Sequence, residues 1–300
     1  MKKGHGISTL KTVLLKLEIN HMKIKFLLPA IVFLFVGMQA ANSQENKTKE
    51  ENKEGTAGQD GKAGKKKSAD ISINFGKDDK SDTLDNENKK IRYPRSFGGI
   101  TFTRVDWGFS RLSDEGSFTL SDDNQFMSYK KSSNFGFDVA QYGIRFTDRF
   151  KVYLSAGFEW NYWRLKNDVL LLQDQTPIQT EDLDTDGNFK KNVFTSTYLR
   201  LPLTFELRSH QLNNGKRVKL AFGAMTGVLL KGTQRLKSDK YGKQKFKDTY
   251  NLQTFQYGPF VRLGYDNFGI FAKYYMNDLF EKSPEQENLR NLAFGLTLGF

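Results

Sequence analysis

Histidine is the residue that most often serves as a general base near neutral pH, so its positions bound the chemistry open to this chain. The sequence has three histidines, His5, His21 and His210. The first two stand near the N-terminus, and the third stands in a short polar stretch between two alternating segments. A histidine-dependent hydrolase would need one beside its nucleophile, in the longer polar stretches. We therefore expect no enzyme, no catalytic residue and no cofactor.

A second stretch with ligand chemistry is DLDTDGNFKKNV, residues 182–193. Its aspartates alternate at the spacing of calcium-loop ligands, at Asp182, Asp184 and Asp186. Gly187 permits the sharp turn that such a loop makes. However, Lys190 stands at the ninth position, and Val193 stands at the twelfth, where a bidentate glutamate belongs. The stretch is a candidate calcium site, and a solvated turn is the favoured interpretation.

Nine charged residues occupy the polar phase of segments in which polar and apolar residues alternate. They are Arg145, Lys151, Glu159, Arg200, Glu206, Arg217, Lys219, Arg262 and Lys273. Residues with a period of two share one face of a strand. If that face lines a closed sheet, the charges either form an anion-selective path or pair with one another and fill the interior. Bases outnumber acids in the set, so some of them need further partners.

The composition excludes several other kinds of site. The chain has no cysteine, which removes disulfides, thiolate metal sites, a cysteine nucleophile and a lipid-modified N-terminal cysteine. Its formal net charge of +12 is compatible with nucleic-acid binding. The basic residues, however, are scattered and form no recognisable reading motif, and anionic lipid head groups explain the sign equally well. We expect no nucleic-acid partner.

The N-terminal part lacks the pattern of a folded domain. Residues 22–43 combine a basic start, an apolar run and a small-x-small end, which predicts a secretory signal peptide. Residues 1–21 precede this complete signal, and we interpret them as an upstream artefact. Residues 44–93 are charged and have no apolar period, which predicts a disordered periplasmic tail. Only ISINFG, 71–76, alternates there, and it could pair with a sheet edge.

Eight alternating segments follow, with no helical period between them. They span 98–112, 134–146, 150–166, 193–208, 217–231, 252–265, 268–280 and 291–300. In the second, the apolar phase shifts between Val139 and Tyr142, which indicates either a bulge or a misplaced strand boundary. The connectors alternate between short turns and long polar loops, as in outer-membrane barrels with short periplasmic turns and long outer loops.

The two faces of these segments differ in a way that identifies their surroundings. In the last segment one face carries Leu292, Phe294, Leu296, Leu298 and Phe300. The opposite faces are small, glycine-rich or charged, which suits a narrow lumen, whereas Leu and Phe suit lipid. The sequence thus predicts an all-β fold, an eight-stranded antiparallel up-and-down transmembrane β-barrel over residues 94–300. Side chains normally fill an eight-stranded interior, which favours a paired network for the nine charges.

Three stretches resemble the PorT-like outer-membrane β-barrel family, which belongs with the porin-family small barrels. They are FGGITFTRVDWGF, TYLRLPLTFELR and the terminal LAFGLTLGF. The family pattern Tyr-Leu-x-x-Pro-Leu falls on Tyr198, Leu199, Pro202 and Leu203, and its C-terminal aromatic falls on Phe300. The resemblance covers roughly residues 97–300. It implies an outer-membrane location, recognition of the last strand by the barrel-insertion machinery and, in some members, a part in protein secretion.

We therefore expect a noncatalytic outer-membrane barrel with a structural or secretion-accessory role. Its expected partners are outer-membrane lipid, the barrel-insertion machinery through the strand that ends at Phe300, and a protein of a secretion complex. The alternative is transport of a small solute or ion through a narrow pore, or ligand binding by the outer loops. The residues alone leave both functions open.

Overall fold

A computed structural model describes residues 93–183 and 187–299. Its strands are β1 (Arg95–Ser113), β2 (Met127–Arg145), β3 (Phe150–Leu165), β4 (Val169–Leu171), β5 (Thr180–Asp182), β6 (Phe189–Arg208), β7 (Val218–Ser238), β8 (Gly242–Asp248), β9 (Phe255–Tyr265), β10 (Phe268–Tyr274) and β11 (Arg290–Leu298). Single turns of 3-10 helix lie at Asp122–Asn124 and Pro284–Gln286. Within the described ranges, no helix has the length and hydrophobicity to cross a bilayer. The predicted signal peptide and residues 44–92 of the predicted tail lie outside these ranges, as do Asp184, Asp186 and Phe300.

Eight of these strands form one closed antiparallel barrel in chain order. The meander runs through β1, β2, β3, β6, β7, β9, β10 and β11. The last strand closes on the first, with Phe294 opposite Phe109. A bilayer offers no hydrogen bonds to the backbone, so the strands must pair with one another, as they do here. The predicted fold class is confirmed.

The strand boundaries depart from the predicted segments mainly on the outer side. β2 begins earlier than predicted, at Met127, and β7 continues to Ser238, whereas β10 ends at Tyr274. The short strands β4 and β5 pair with each other, and β8 pairs with the outer part of β7, within stretches predicted as loops. These stretches are short or densely charged, so they lack the alternation that marked the other strands.

A bulge in β2 changes which of its side chains point inward. The ladder to β3 passes from the Asp138 pair directly to the Ala140 pair and leaves Val139 unpaired. An extra residue on one strand shifts the period of two by one position. Of the two interpretations of the phase shift, the bulge is therefore confirmed, and it lies at Val139.

Strand β1 contains irregularities whose positions the sequence did not indicate. Its register against β2 shifts on both sides of Thr103, and Arg104 adopts a φ of 51°. As a result Thr101 and Arg104, three positions apart, are both buried. The shift carries the polar residues that follow, beginning with Asp106, into the barrel interior.

The outward side chains of the barrel strands form an apolar belt. Its most exposed members include Trp107 at 67% and Phe268 at 69%. In β3 the burial alternates without interruption, so that Lys151 and Glu159 point inward while Val152 points outward. The apolar face predicted for the last segment points outward from Leu292 to Leu298. The belt is the surface that meets lipid.

A separate apolar core lies at the outer end of the barrel, where the long loops fold inward. This cap core consists of Leu112, Phe126, Met127, Trp163, Leu165, Val169, Leu171, Ile178, Phe194, Tyr198, Leu229, Tyr250, Leu252, Leu279, Phe280 and Leu289. Phe194 has no exposed surface; it stacks on Phe280 and meets Tyr250 edge to face. The loops therefore cover the barrel mouth with the kind of core that a soluble domain has.

Candidate functional site in the barrel interior

Arg200, on β6, is the centre of a buried ionic network. Its Nη1 donates a hydrogen bond to Asp106 Oδ2 at 2.8 Å, and its Nε donates to Asp138 Oδ1 at 3.0 Å. Glu159 Oε2 lies 3.6 Å from Nη1. One guanidinium is thus surrounded by three carboxylates from three different strands. Its planar fork of donors suits this arrangement in a way that a lysine ammonium cannot.

Three further cations complete the group of charges, which we call the lumen network. Its members are Arg104, Asp106, Asp138, Glu159, Arg200, Arg262 and Lys273, all of them buried. Arg104 Nε donates to Asp138 Oδ2 at 2.8 Å, and Arg262 Nη2 donates to Asp106 Oδ2 at 2.9 Å. Lys273 Nζ lies 2.7 Å from Asp106 Oδ2. Buried charges persist only with close partners, and each carboxylate here has at least two cationic ones.

Neutral side chains extend the lumen network toward the cap core. Asn134 Nδ2 donates to Glu159 Oε1 at 2.7 Å, and the Tyr275 hydroxyl donates to the same oxygen. Asn134 also donates to Asn161 Oδ1 at 2.7 Å, which in turn accepts from Asn291 Nδ2 at 3.2 Å. Chains of this kind satisfy buried polar atoms that water cannot reach. The polar interior therefore continues toward the outer end of the barrel as a chain of side-chain hydrogen bonds.

A cavity of about 10 Å³ lies between the polar interior and the cap core. Tyr275 and Asn291 line it from the polar side, and Trp163 and Tyr198 line it from the cap core. Such a volume holds about one water molecule. The Tyr198 hydroxyl donates to the Gln253 carbonyl at 2.8 Å, which ties this wall of the cavity to an outer loop.

Gly136, on β2, makes room for the central guanidinium. A Cβ at this position would lie 2.6 Å from Arg200 Nη1 and 3.1 Å from the Phe158 carbonyl oxygen. The first distance is too short for a Cβ and the second is tighter than most, so a larger residue would displace the guanidinium. A glycine within a strand often marks such a close approach.

A second group of charges lies near the periplasmic end of the interior. Glu206 Oε2 is 3.1 Å from Lys151 Nζ and accepts from the Tyr153 hydroxyl at 3.0 Å, while its Oε1 accepts from Arg208 Nε at 2.8 Å. The strand register places Lys219 opposite Arg208. This end of the lumen is therefore also occupied by paired charges.

Eight of the nine predicted inward charges are buried in the barrel. The exception is Arg217, for which the prediction is wrong. β7 begins at Val218, so Arg217 belongs to the preceding turn, where its Nη1 donates to Asp148 Oδ2 of the neighbouring turn at 2.6 Å. The end of the strand releases this side chain from the lumen.

Sequence reasoning missed Arg104, Asp106 and Asp138. Both aspartates supply the carboxylates that the surplus of predicted bases required. They were missed because the bulges in β1 and β2 interrupt the alternation by which inward residues are recognised. The excess of bases over acids among the predicted inward residues could have revealed them. Buried bases need acidic partners, and the first two strands were the ones whose inward faces the pattern left unclear.

The other candidate residues lie apart from this site. His210 is exposed in the turn between β6 and β7. Asp182 is exposed at the end of β5, and Lys190 Nζ pairs with Asp239 Oδ2 at 2.7 Å. Because the other two calcium-loop aspartates lie outside the described ranges, both the candidate calcium site and the favoured solvated turn stay untested. In residues 93–183 and 187–299, no group of three His, Cys, Asp or Glu side chains is placed to hold a metal.

A closed eight-stranded barrel with an apolar belt outside and paired charges inside defines a transmembrane β-barrel protein. The family model described as "Outer membrane protein beta-barrel domain" matches residues 95–280, and the chain belongs to this family. Its place in the cell is accordingly the outer membrane. A search of curated proteins gave no match.

Proposed function

We propose that this protein is a noncatalytic, nonconducting outer-membrane barrel with a structural or secretion-accessory role, as its PorT-like resemblance implies. The observation that carries the proposal is the contact of Arg200 with three carboxylates inside the barrel. An ion that crossed the barrel would have to separate these charges. In a medium of low dielectric, breaking such a pair costs several kcal/mol for each ion left alone.

The cap core supports the same conclusion at the outer mouth. Residues from the loops, including Ile178, Tyr250 and Leu289, are buried there against strand residues such as Phe194. A permanent solute path through this region would require the loops to give up their apolar contacts with the barrel. The interior is thus occupied by two different cores in succession.

The noncatalytic part of the proposal rests on how the titratable groups are used. Asp106, Asp138 and Glu159 are the buried carboxylates of the lumen network, and all of them bind cations of the barrel wall. A catalytic carboxylate or histidine needs access to a substrate. The exposed His210 lies in a periplasmic turn, at the opposite end from the outer loops.

The partner side of the proposal follows the resemblance. The last strand, which ends at Phe300, would be read by the barrel-insertion machinery, and a secretion-complex protein would bind the finished barrel. The periplasmic tail and signal peptide belong to the same proposal. They would deliver the chain to the outer membrane and leave residues 44–93 in the periplasm.

Conductance in planar bilayers tests the closed interior. The full-length protein should give no discrete current steps, whereas a known porin in the same bilayers should, which establishes that insertion and recording work. Discrete steps from the wild-type protein would overturn the closed barrel and favour the transport alternative. A pull-down from detergent-solubilised membranes then separates a purely structural role, with no specific partner, from a secretion-accessory one.

A further inference from the structure

Strand β7 changes its outward surface at one point. From Val218 to Leu230 its outward side chains belong to the apolar belt. Between the Leu229 pair and the Lys231 pair, the register against β6 shifts and leaves Leu230 without a partner on that strand. Beyond this bulge the exposed residues of the strand are basic, beginning with Lys231. The same side of one strand therefore passes from lipid contact to positive charge.

The basic side continues across three strands above the belt. We call the exposed cations on it the cation ladder: Lys191 of β6, Lys231, Arg235 and Lys237 of β7, and Lys243, Lys245 and Lys247 of β8. Lys237 lies directly opposite Lys191 on one side and Lys243 on the other, and Arg235 lies opposite Lys245. Residues paired in this way share a face, with Cβ atoms about 5 Å apart.

The opposite side of the β7–β8 hairpin holds it against the cap. Leu236 is buried, and Phe246 packs on the cap core. Gln234 is buried between strands; its Nε2 donates to the Val169 carbonyl at 3.0 Å and its Oε1 accepts from the Leu171 amide at 3.0 Å. Because this side is fixed inward, the ladder cations are directed outward only.

The charge of the ladder is not neutralised by the described part of the chain. Like charges directly opposite one another destabilise a sheet. Local desolvation and the neighbouring cations Arg235, Lys247 and Lys231 lower the pKa of Lys245. None of the ladder cations forms an ion pair within the described ranges. Asp239 of the same hairpin binds Lys190 instead, and Asp248 Oδ2 accepts from the Asp174 amide at 2.9 Å.

We propose that the cation ladder binds the phosphate groups of anionic lipids in the outer leaflet. The ladder begins where the belt ends, on the same side of the barrel wall. A strand rise of about 3.3 Å and a tilt of about 40° place Leu230 about 30 Å above Val218, which is the thickness of a bilayer core. Lys231 then lies at the level of the head groups, where each basic residue attracts anionic lipid.

This inference goes beyond the proposed function and does not depend on it. It requires only that the barrel lies in the outer membrane with its long loops outside. A ladder that binds no lipid would leave the closed barrel unaffected, and a conducting barrel would leave the ladder unaffected. The two proposals therefore fail separately.

Energy transfer from a single label tests the proposal. Because the chain has no cysteine, Thr249→Cys gives one labelling site at the exposed residue that follows β8. The labelled full-length protein is placed in nanodiscs of phosphatidylcholine with a small fraction of acceptor-labelled phosphatidic acid. We expect about fivefold enrichment of the acceptor near this label, the factor that one basic residue contributes at an anionic surface. The same label at Asn213→Cys, in a periplasmic turn, should report the bulk fraction.

Two matched triple variants test whether the lipid is attracted by the cation ladder itself or by the overall positive charge of the protein. Lys237→Gln, Lys243→Gln and Lys245→Gln together should lower the enrichment, because three of the seven ladder cations are then removed. Removing three exposed lysines elsewhere on the outer side, Lys131→Gln, Lys166→Gln and Lys282→Gln, should leave it unchanged. Equal enrichment in both triple variants would overturn the proposal. Full displacement of the lipid by an equal concentration of inorganic phosphate would also overturn it, because the ladder would then bind a free anion and not a lipid surface.

Discussion

The membrane-level barrel and the outer hairpin use one strand in opposite ways. Within the belt, β7 turns Leu220 and Phe222 outward and Lys219 inward; in the hairpin it turns Lys237 outward and Leu236 inward. The surrounding solvent explains the inversion, because acyl chains favour apolar side chains and water favours charged ones. The inward side chains are then charged where the outward ones are apolar, and apolar where the outward ones are charged.

This complement explains why the lower core is ionic although ion pairs are poor sources of stability. If both faces of a strand were apolar, a register slip of one residue would cost little, and sidedness would be weakly specified. Charges such as Arg200 and Glu159 cannot be turned toward lipid. The lumen network therefore fixes which way each strand faces, whereas the cap core gains its stability from buried apolar surface.

The largest expected effect comes from removing the centre of the ionic core. Arg200→Ala leaves Asp106 and Asp138 with fewer cationic partners and should lower the free energy of unfolding by about 3–5 kcal/mol. Urea unfolding in detergent micelles measures this loss. Adding Asp138→Asn should recover part of it, because one uncompensated carboxylate is removed. A loss below about 1 kcal/mol would mean that water already satisfies these charges.

Truncation in the apolar core should have a smaller and more local effect. Phe194→Ala removes a ring that contacts Trp163, Tyr250 and Phe280, and should weaken the cap by about 3 kcal/mol. The outer loops should exchange their amide hydrogens faster, while the intact barrel should still run faster on gels when unheated than when boiled. Loss of the barrel itself would show that the two cores unfold as one unit.

The smallest expected effects come from reciprocal substitutions in the apolar belt and in the outer hairpin, whose costs in free energy of unfolding should differ. Val261→Lys places a charge in the belt, at a residue 43% exposed, and should cost about 2 kcal/mol or more. Lys245→Val removes a charge from the hairpin and should change the free energy of unfolding by less than about 0.5 kcal/mol. Both are measured in zwitterionic micelles. Equal costs would mean that the hairpin also lies in lipid.

The sequence was most informative where the alternation was unbroken. In β3, β9, β11 and residues 198–208 of β6, each second residue is buried or outward as its polarity requires, so both the strands and the inward charges Glu159, Arg200 and Arg262 could be predicted. One rule, a period of two with one apolar face, sufficed for these strands.

The remaining features depend on positions where the rule is interrupted. The bulges near Thr103 and Val139 hid Asp106 and Asp138, because a bulge is specified by tertiary pairing and leaves only a phase shift in the sequence. The β8 strand, GKQKFKD, was hidden by its charge, since only Phe246 contacts the cap core. The cap itself joins residues distant along the chain, and no local pattern announces such contacts.

The bulge at Leu230 separates a part of β7 in which insertions are costly from a part in which they are tolerated. An insertion within the belt would reverse the sidedness of every later residue of that strand. At the bulge the alternation is already reset, so the hairpin beyond it can be exchanged for another without disturbing the wall below. The outer hairpin can thus vary in sequence and length during evolution, while the barrel strands below it keep their inward and outward faces.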